Sequence, residues 1–200
     1  MPGTNVADRP STSGNGLFLA LLAAVGLLAS LVLTHDKIEA LQAAARGETF
    51  SAGCDLNAFV SCSAVVGSAQ SELFGFPNSF LGIVGFSVVM SLAAVAALGG
   101  RLPLVVLSGL QLGASAAIVL ITWLQVQSIV VLQRLCPYCI AVWVVTIPIF
   151  VLTTRTFLLR TRPAARATRL LEDWTLLMVL LWYVAVAAAV WFRFGDRLWA

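Results

Sequence analysis

Five long stretches of the chain carry no charged residue: about 17–34, 80–100, 103–126, 136–154 and 174–192. Each approaches the roughly 20 apolar residues that cross a bilayer's hydrocarbon core. Lipid offers a backbone no hydrogen-bond partner except its own helix, so all five are predicted as transmembrane helices. Arg101-Leu102-Pro103 marks a tight turn between the second and third, with Pro103 suited to a first helical position. Pro148 falls inside the fourth and is expected to kink it. Between the first and second runs lies 35–79, which holds His35, Asp36, Lys37, Glu39, Arg46, Glu48, Asp55 and Glu72. The pattern predicts a long loop there, and long loops in compact proteins are usually functional.

The ends are polar. Residues 1–16 are rich in Pro, Gly, Ser and Thr and are expected to form a disordered tail, with a second short tail over 193–200. A cleaved signal peptide is the alternative for the first apolar run. Its flank offers one Arg offset by Asp8, and no clear cleavage site follows, which favours a retained helix.

Composition sharpens the picture. The chain has 200 residues, 60% hydrophobic and 10% charged, where a soluble domain carries about a quarter charged residues. The expectation is an all-α integral membrane protein with one membrane domain over 17–192. No basic stripe points to nucleic acid. No apolar run holds an acidic or basic side chain of the kind transporters use. The arginines suggest an orientation: the 155–169 segment alone carries Arg155, Arg160, Arg162, Arg166 and Arg169 beside two membrane ends. Basic residues near span ends favour the cytoplasmic side. With a cytoplasmic N-terminus, the 35–79 loop and the start of the fourth span lie on the extracytoplasmic face of the cell membrane. All four cysteines then meet on the oxidising side.

Those cysteines form two close pairs, Cys54/Cys62 and Cys136/Cys139. In Cys136-Pro137-Tyr138-Cys139 the two thiols stand one helical turn apart, within disulfide range. Pro137 fits a first helical turn, which puts Cys136 at the helix N-terminus, where the dipole favours thiolate. That is a redox spacing; a static disulfide, or two buried small hydrophobes, is the alternative. A haem attachment would need His where Ile140 stands. Cys54 and Cys62 would be ~12 Å apart on one helix, beyond the roughly 7 Å a disulfide spans. The intervening loop must fold back, either for a structural bridge or for one that opens and closes. Four thiolates can also hold zinc, but the spacing departs from the paired knuckles of structural zinc sites.

A dithiol that accepts electrons must pass them on, and the chain has no nucleotide, haem or iron–sulfur motif. The bilayer itself dissolves one suitable carrier, a quinone. Trp143 shares a helix face with Cys136 and Cys139, where its ring can stack on a quinone and its N–H donate, or where it serves as an interfacial belt residue. Asn78 and Ser79 precede the second span as ordinary N-caps, or Asn78 hydrogen-bonds a quinone oxygen.

The ordered set Cys54–Cys62, Pro77-Asn78-Ser79-Phe80-Leu81-Gly82 and Cys136–Cys139 resembles the vitamin K epoxide reductase family, in a bacterial-type form. The resemblance implies a four-helix bundle around a quinone, here with a fifth helix. It implies that electrons pass from a thioredoxin-fold partner to the loop pair, then to the second pair, then to quinone; a menaquinone-type quinone is expected over ubiquinone. Carried over by position, Cys54 exchanges with the partner, Cys62 shuttles to Cys136, Cys139 faces the quinone and Asn78 hydrogen-bonds it. Vertebrate members have Tyr where this chain has Trp143, a donor only. The chain stops at Ala200, so the thiol oxidase partner is expected to be a separate extracytoplasmic protein. The function implied is de novo disulfide formation by a membrane dithiol:quinone oxidoreductase; the alternative is a non-enzymatic membrane protein stapled by two structural disulfides.

Overall fold

The computed structural model describes residues 12–57 and 59–195. Among them, long helices dominate: α1 (Thr12–Arg46), α3 (Asn78–Ala97), α4 (Leu104–Val126), α5 (Pro137–Thr161) and α6 (Arg166–Phe194), with a short α2 (Cys62–Val66) in the connection after α1. Five helices are long and apolar enough to cross a membrane. The only strand-like feature among the described residues is a single parallel bridge, Val60 to Leu135.

The first helix differs from the hydropathy reading. It begins at Thr12, inside the expected tail, and runs without a break through 35–46, which charge alone assigns to the loop. Residues 1–11 of that tail lie outside the described residues. The segment HDKIEALQAAAR is polar but made of strong helix formers, so losing hydrophobicity does not end the helix. Gly47 ends it, at φ 71°. The Gly47 N–H bonds the Ala44 carbonyl and the Glu48 N–H the Ala43 carbonyl, closing the last turn. At 35 residues the helix is about 52 Å long, well beyond a hydrocarbon core of about 30 Å. Its last three turns therefore stand clear of the core and carry polar residues to the mouth of the bundle. The loop proper covers 47–77.

Helix α1 packs closely on α3. Small residues set the approach: a Cβ on Gly26 would fall 2.5 Å from the Phe86 ring, and Gly82 sits directly against Ser30. Helix α5 lies between α1 and α4, and α6 packs on its far side. Pro148 sits inside α5, which continues through it to Thr161. Proline has no N–H, so the Val144 carbonyl loses its normal helical donor. Tyr183 of α6 supplies one: its hydroxyl donates to the Val144 carbonyl at 2.6 Å.

Helix α4 ends in a π-helical turn over Gln127–Leu132, closed by Gln133 at φ 52°. The Arg134 N–H bonds the Ser128 carbonyl, and the Ser128 hydroxyl donates to the Arg134 carbonyl. The chain is thereby turned back in four residues, into Leu135 and the second cysteine pair.

Candidate functional site

The loop between Cys54 and Cys62 is folded back by its own polar side chains. The Asn57 Oδ1 accepts from the N–H groups of Phe59 at 2.9 Å and Val60 at 2.8 Å. The Leu56 N–H closes onto the Val60 carbonyl at 2.9 Å. This reversal leaves the two Cα atoms 5.7 Å apart, bridged as a disulfide. Asp55 is the hub of the fold-back. Its carboxylate accepts from the Ala52 N–H at 3.1 Å, the Ser63 N–H at 3.1 Å, the Ser61 hydroxyl at 2.8 Å, and the Ser63 hydroxyl. Burial acts to raise the Asp55 pKa, but the hydrogen bonds from Ser63, Ser61 and the Ala52 N–H outweigh it and hold the value at about 2. Sequence reasoning missed this residue. Its signal was there: one Asp among Ser51, Ser61 and Ser63, in a segment that had to reverse.

Backbone pairing then delivers the loop to the second cysteine pair. The Leu135 N–H bonds the Phe59 carbonyl at 2.8 Å, and the Ser61 N–H bonds the Leu135 carbonyl at 3.0 Å. The next residue on each strand is a cysteine. Cys62 starts α2, capped by the Ser61 hydroxyl, while Cys136 holds the N-cap position of α5 with Pro137 just inside. The Cys62 and Cys136 sulfurs are 3.3 Å apart and both residues are fully buried. Cys136 and Cys139 are free thiols.

Beneath this junction lies a cavity of about 730 Å³. Its walls come from α1, α3, α4 and α5, with residues 65–77 of the loop as its roof; none of the described residues of α6 lines it. Of the four cysteines, Cys139 alone is among its lining residues, together with Trp143, Asn78 and Ser79. The four sulfurs therefore form a line from the half-exposed Cys54 through Cys62 and Cys136 to the cavity at Cys139.

The other sequence-selected residues fall as follows. Trp143 is 3% exposed and packs among Ile118, Ile121 and Ile147, so it belongs to the bundle interior and not to an interfacial belt. Asn78 is not the N-cap of α3; Pro77 occupies that position. The amide instead turns up into the roof, its Nδ2 donating to the Gln70 carbonyl at 2.7 Å and its Oδ1 accepting from the Leu73 N–H at 3.1 Å. The 3-10 turn at Ala69–Glu72 leaves one acceptor and one donor over the helix start, and an amide satisfies both. One Nδ2 hydrogen remains for another acceptor. Ser79 is not a cap either. Its hydroxyl accepts from Thr34 at 2.8 Å, joining α3 to α1.

Lys37, a second residue not singled out in the sequence, pins the roof. Its ammonium is buried and donates to the Val66 carbonyl at 2.8 Å and the Ser71 hydroxyl at 3.1 Å, and it pairs with Glu72 at 2.9 Å. The extension of α1 beyond the apolar run is what carries Lys37 to this position.

A lipophilic two-carbonyl ring fits what is present. The cavity size lies within the usual range for small-molecule sites, its lining is mostly aliphatic and aromatic, and a spare amide hydrogen and a thiol border it. The donors available suit carbonyl oxygens.

A family model described as the vitamin K epoxide reductase family matches residues 17–154, which is more than half of the chain, and the chain belongs to that family. The matched segment contains both cysteine pairs, the roof, all of α3 and α4 and most of α1 and α5. No curated protein matches the chain.

Proposed function

We propose that this member of the vitamin K epoxide reductase family, a multi-pass membrane oxidoreductase, makes disulfides by moving two electrons from an extracytoplasmic dithiol to a membrane quinone. The observation that carries this reading is the 3.3 Å approach of the Cys62 sulfur to Cys136, with Cys139 beyond it in the cavity wall. Two structural disulfides would have no reason to place a third sulfur within reach of the first pair.

The chain's own part is thiol–disulfide exchange. Cys54 is the half-exposed member of the loop pair and is the sulfur that meets the partner dithiol. Cys62, reduced, attacks Cys136 and displaces Cys139 as thiolate at the cavity wall; Cys54 then attacks Cys62 and frees Cys136. The loop bridge is closed and the second pair is reduced at the end of this sequence, which is the arrangement of the four cysteines here. A quinone, when bound, supplies the two-electron, two-proton acceptor that re-oxidises the second pair. Trp143 and the spare Asn78 amide hydrogen would hold its ring and one carbonyl, and the aliphatic wall excludes water.

The partner we propose is a separate thioredoxin-fold thiol oxidase on the extracytoplasmic side of the cell membrane. The arginines of 155–169 support that orientation, because the π turn and α5 place the cysteines at the opposite end of the span from them. Menaquinone is the proposed acceptor. Purified protein given a small dithiol and a soluble naphthoquinone should reduce the quinone with loss of its absorbance. An intact dithiol pool and an unchanged quinone spectrum, in protein whose four cysteines are accounted for by peptide mapping, would leave the stapled, non-enzymatic reading.

A further inference from the structure

Cys62 presents a difficulty for any exchange mechanism: it must lose a proton to attack, yet no part of it touches solvent. Thiolate, not thiol, is the nucleophile. A carboxylate within reach of it belongs to Asp36, on the polar extension of α1. One of its carboxylate oxygens and the sulfurs of Cys54 and Cys62 all lie within 4.8 Å of one another. The Asp36 side chain is only 14% exposed, but its neighbour His35 is 71% exposed, with Nδ1 3.8 Å from the Asp36 carboxylate. His35 Nε2 in turn lies 3.8 Å from Glu39.

We propose that Asp36 is the proton acceptor for the loop thiols and that His35 carries the proton from it to solvent. The role rests on the exchange function proposed above. In the first step the Cys62 thiol gives its proton to the Asp36 carboxylate as its sulfur bonds to Cys136. The Cys136–Cys139 bond breaks and its electron pair leaves on Cys139. Asp36 returns to carboxylate by passing the proton to His35. In the second step the Cys54 thiol gives its proton to Asp36 as its sulfur bonds to Cys62, and Cys136 leaves as thiolate. Two protons depart through one carboxylate while two electrons move to the second pair. The charged and titratable groups around Asp36 are His35 and Glu39 on its own helix, Cys54, Cys62 and Asp55 on the loop, and Cys136 at the start of α5. Asp55 is already committed to five loop donors, which leaves Asp36 as the carboxylate open to a thiol.

The test isolates the loop pair. Full-length protein carrying Cys136→Ser and Cys139→Ser is reduced and mixed with 4,4′-dithiodipyridine, whose released thiopyridone absorbs. The first release marks capture of the half-exposed Cys54; the second marks attack by Cys62 on the captured sulfur. Asp36→Asn should slow the second release by roughly 100-fold, the low end of what a positioned base contributes, and slow the first release less, because the partly exposed Cys54 can also give its proton to solvent. The second release should fall on the acid side with Asp36 present and lose that inflection in Asp36→Asn, while Asp36→Glu restores it. A second release that is unchanged or faster in Asp36→Asn would overturn the proposal, because removing a mere negative charge favours thiolate. Quinone and partner take no part here. If the Asp36 dependence appears but intact protein reduces no quinone, the proton role stands and the proposed function fails.

Discussion

Val60 pairs with Leu135 through the parallel bridge, so that a backbone contact, and not a side-chain one, sets Cys62 beside Cys136. The bridge uses the Leu135 N–H and the Ser61 N–H, which hold both strands immediately ahead of the two cysteines. The contact therefore does not need the Cys54–Cys62 bond to hold Cys62 in place.

That independence gives the first prediction. In Cys54→Ala the resolving thiol is gone while the bridge persists, so a Cys62–Cys136 disulfide should accumulate under turnover. Mixed disulfides last as long as no second thiol attacks them. Non-reducing peptide mapping by mass spectrometry reads the linkage directly. Recovery of Cys136 only in a bond to Cys139, where the unmodified chain turns over, would remove the shuttle role of Cys62.

The second prediction concerns acid. The Asp55 pKa is held at about 2, below the ordinary 3.8. A depressed carboxyl stabilises the fold above its unfolded value and loses that contribution as pH falls. The loop should therefore stay closed down to about pH 4 and open progressively between about pH 4 and 2. In Asp55→Asn this pH-dependent component disappears, and the loop should be looser already at neutral pH. Hydrogen exchange of residues 51–63 across that range measures it. Equal protection in both proteins at neutral pH would mean that the serine network closes the loop without the carboxylate.

Much of this was legible in the sequence, and the rest was hidden for identifiable reasons. Charge-free runs located the apolar helices because lipid penalises charge. Cysteine spacing marked the two pairs because a disulfide has a fixed reach. Residues 35–46 were misread because hydropathy reports solvent, not helicity, and a polar helix leaving the membrane looks like a loop. That error concealed Asp36 and Lys37, whose positions follow only from the continued helix. Asn78 was misplaced by one residue of register: its partners, Gln70 and Leu73, belong to a 3-10 turn that no periodicity announces. The Tyr183–Val144 bond required knowing which helix covers Pro148.

That bond carries the third prediction. Tyr183→Phe keeps the ring and leaves the Val144 carbonyl without the donor that Pro148 cannot supply. The cost should be about 1 kcal/mol, in line with interhelical hydrogen bonds in membranes. It should appear as a small loss of thermal stability with quinone reduction preserved, because no described residue of α6 lines the cavity. Restoring the helical donor by Pro148→Ala should make Tyr183→Phe nearly silent. A double-mutant cycle with additive effects would show that the hydroxyl does not stand in for the missing N–H.

The fourth prediction addresses the roof. Asn78→Ala removes two hydrogen bonds to the roof turn together with the spare amide hydrogen facing the cavity. Quinone reduction should slow while Cys62–Cys136 exchange, followed by peptide mapping, continues. A fall in melting temperature with unchanged quinone kinetics would confine Asn78 to holding the roof.

The cavity itself gives the last prediction, from residues whose importance is that they have no side chains. Gly85 of α3 and Gly109 and Gly113 of α4 all line the cavity, and a Cβ built on any of them meets no atom within 4 Å. Glycine inside a helix costs about 1 kcal/mol relative to Ala, so three such residues facing one space are kept against local propensity. Gly113→Leu should improve helix propensity and project a branched side chain into that space. The protein should therefore remain folded, with a melting temperature equal to or above that of the unmodified chain. A ligand sharing the cavity with that side chain is overpacked by about 1–3 kcal/mol, which weakens binding by roughly fivefold to 150-fold. Thiol exchange between the cysteine pairs, which happens above the cavity, should be untouched. Measuring quinone KM beside the rate of Cys62–Cys136 exchange separates the two steps. An unaltered KM in a folded Gly113→Leu protein would mean that the quinone meets Cys139 from somewhere other than this cavity.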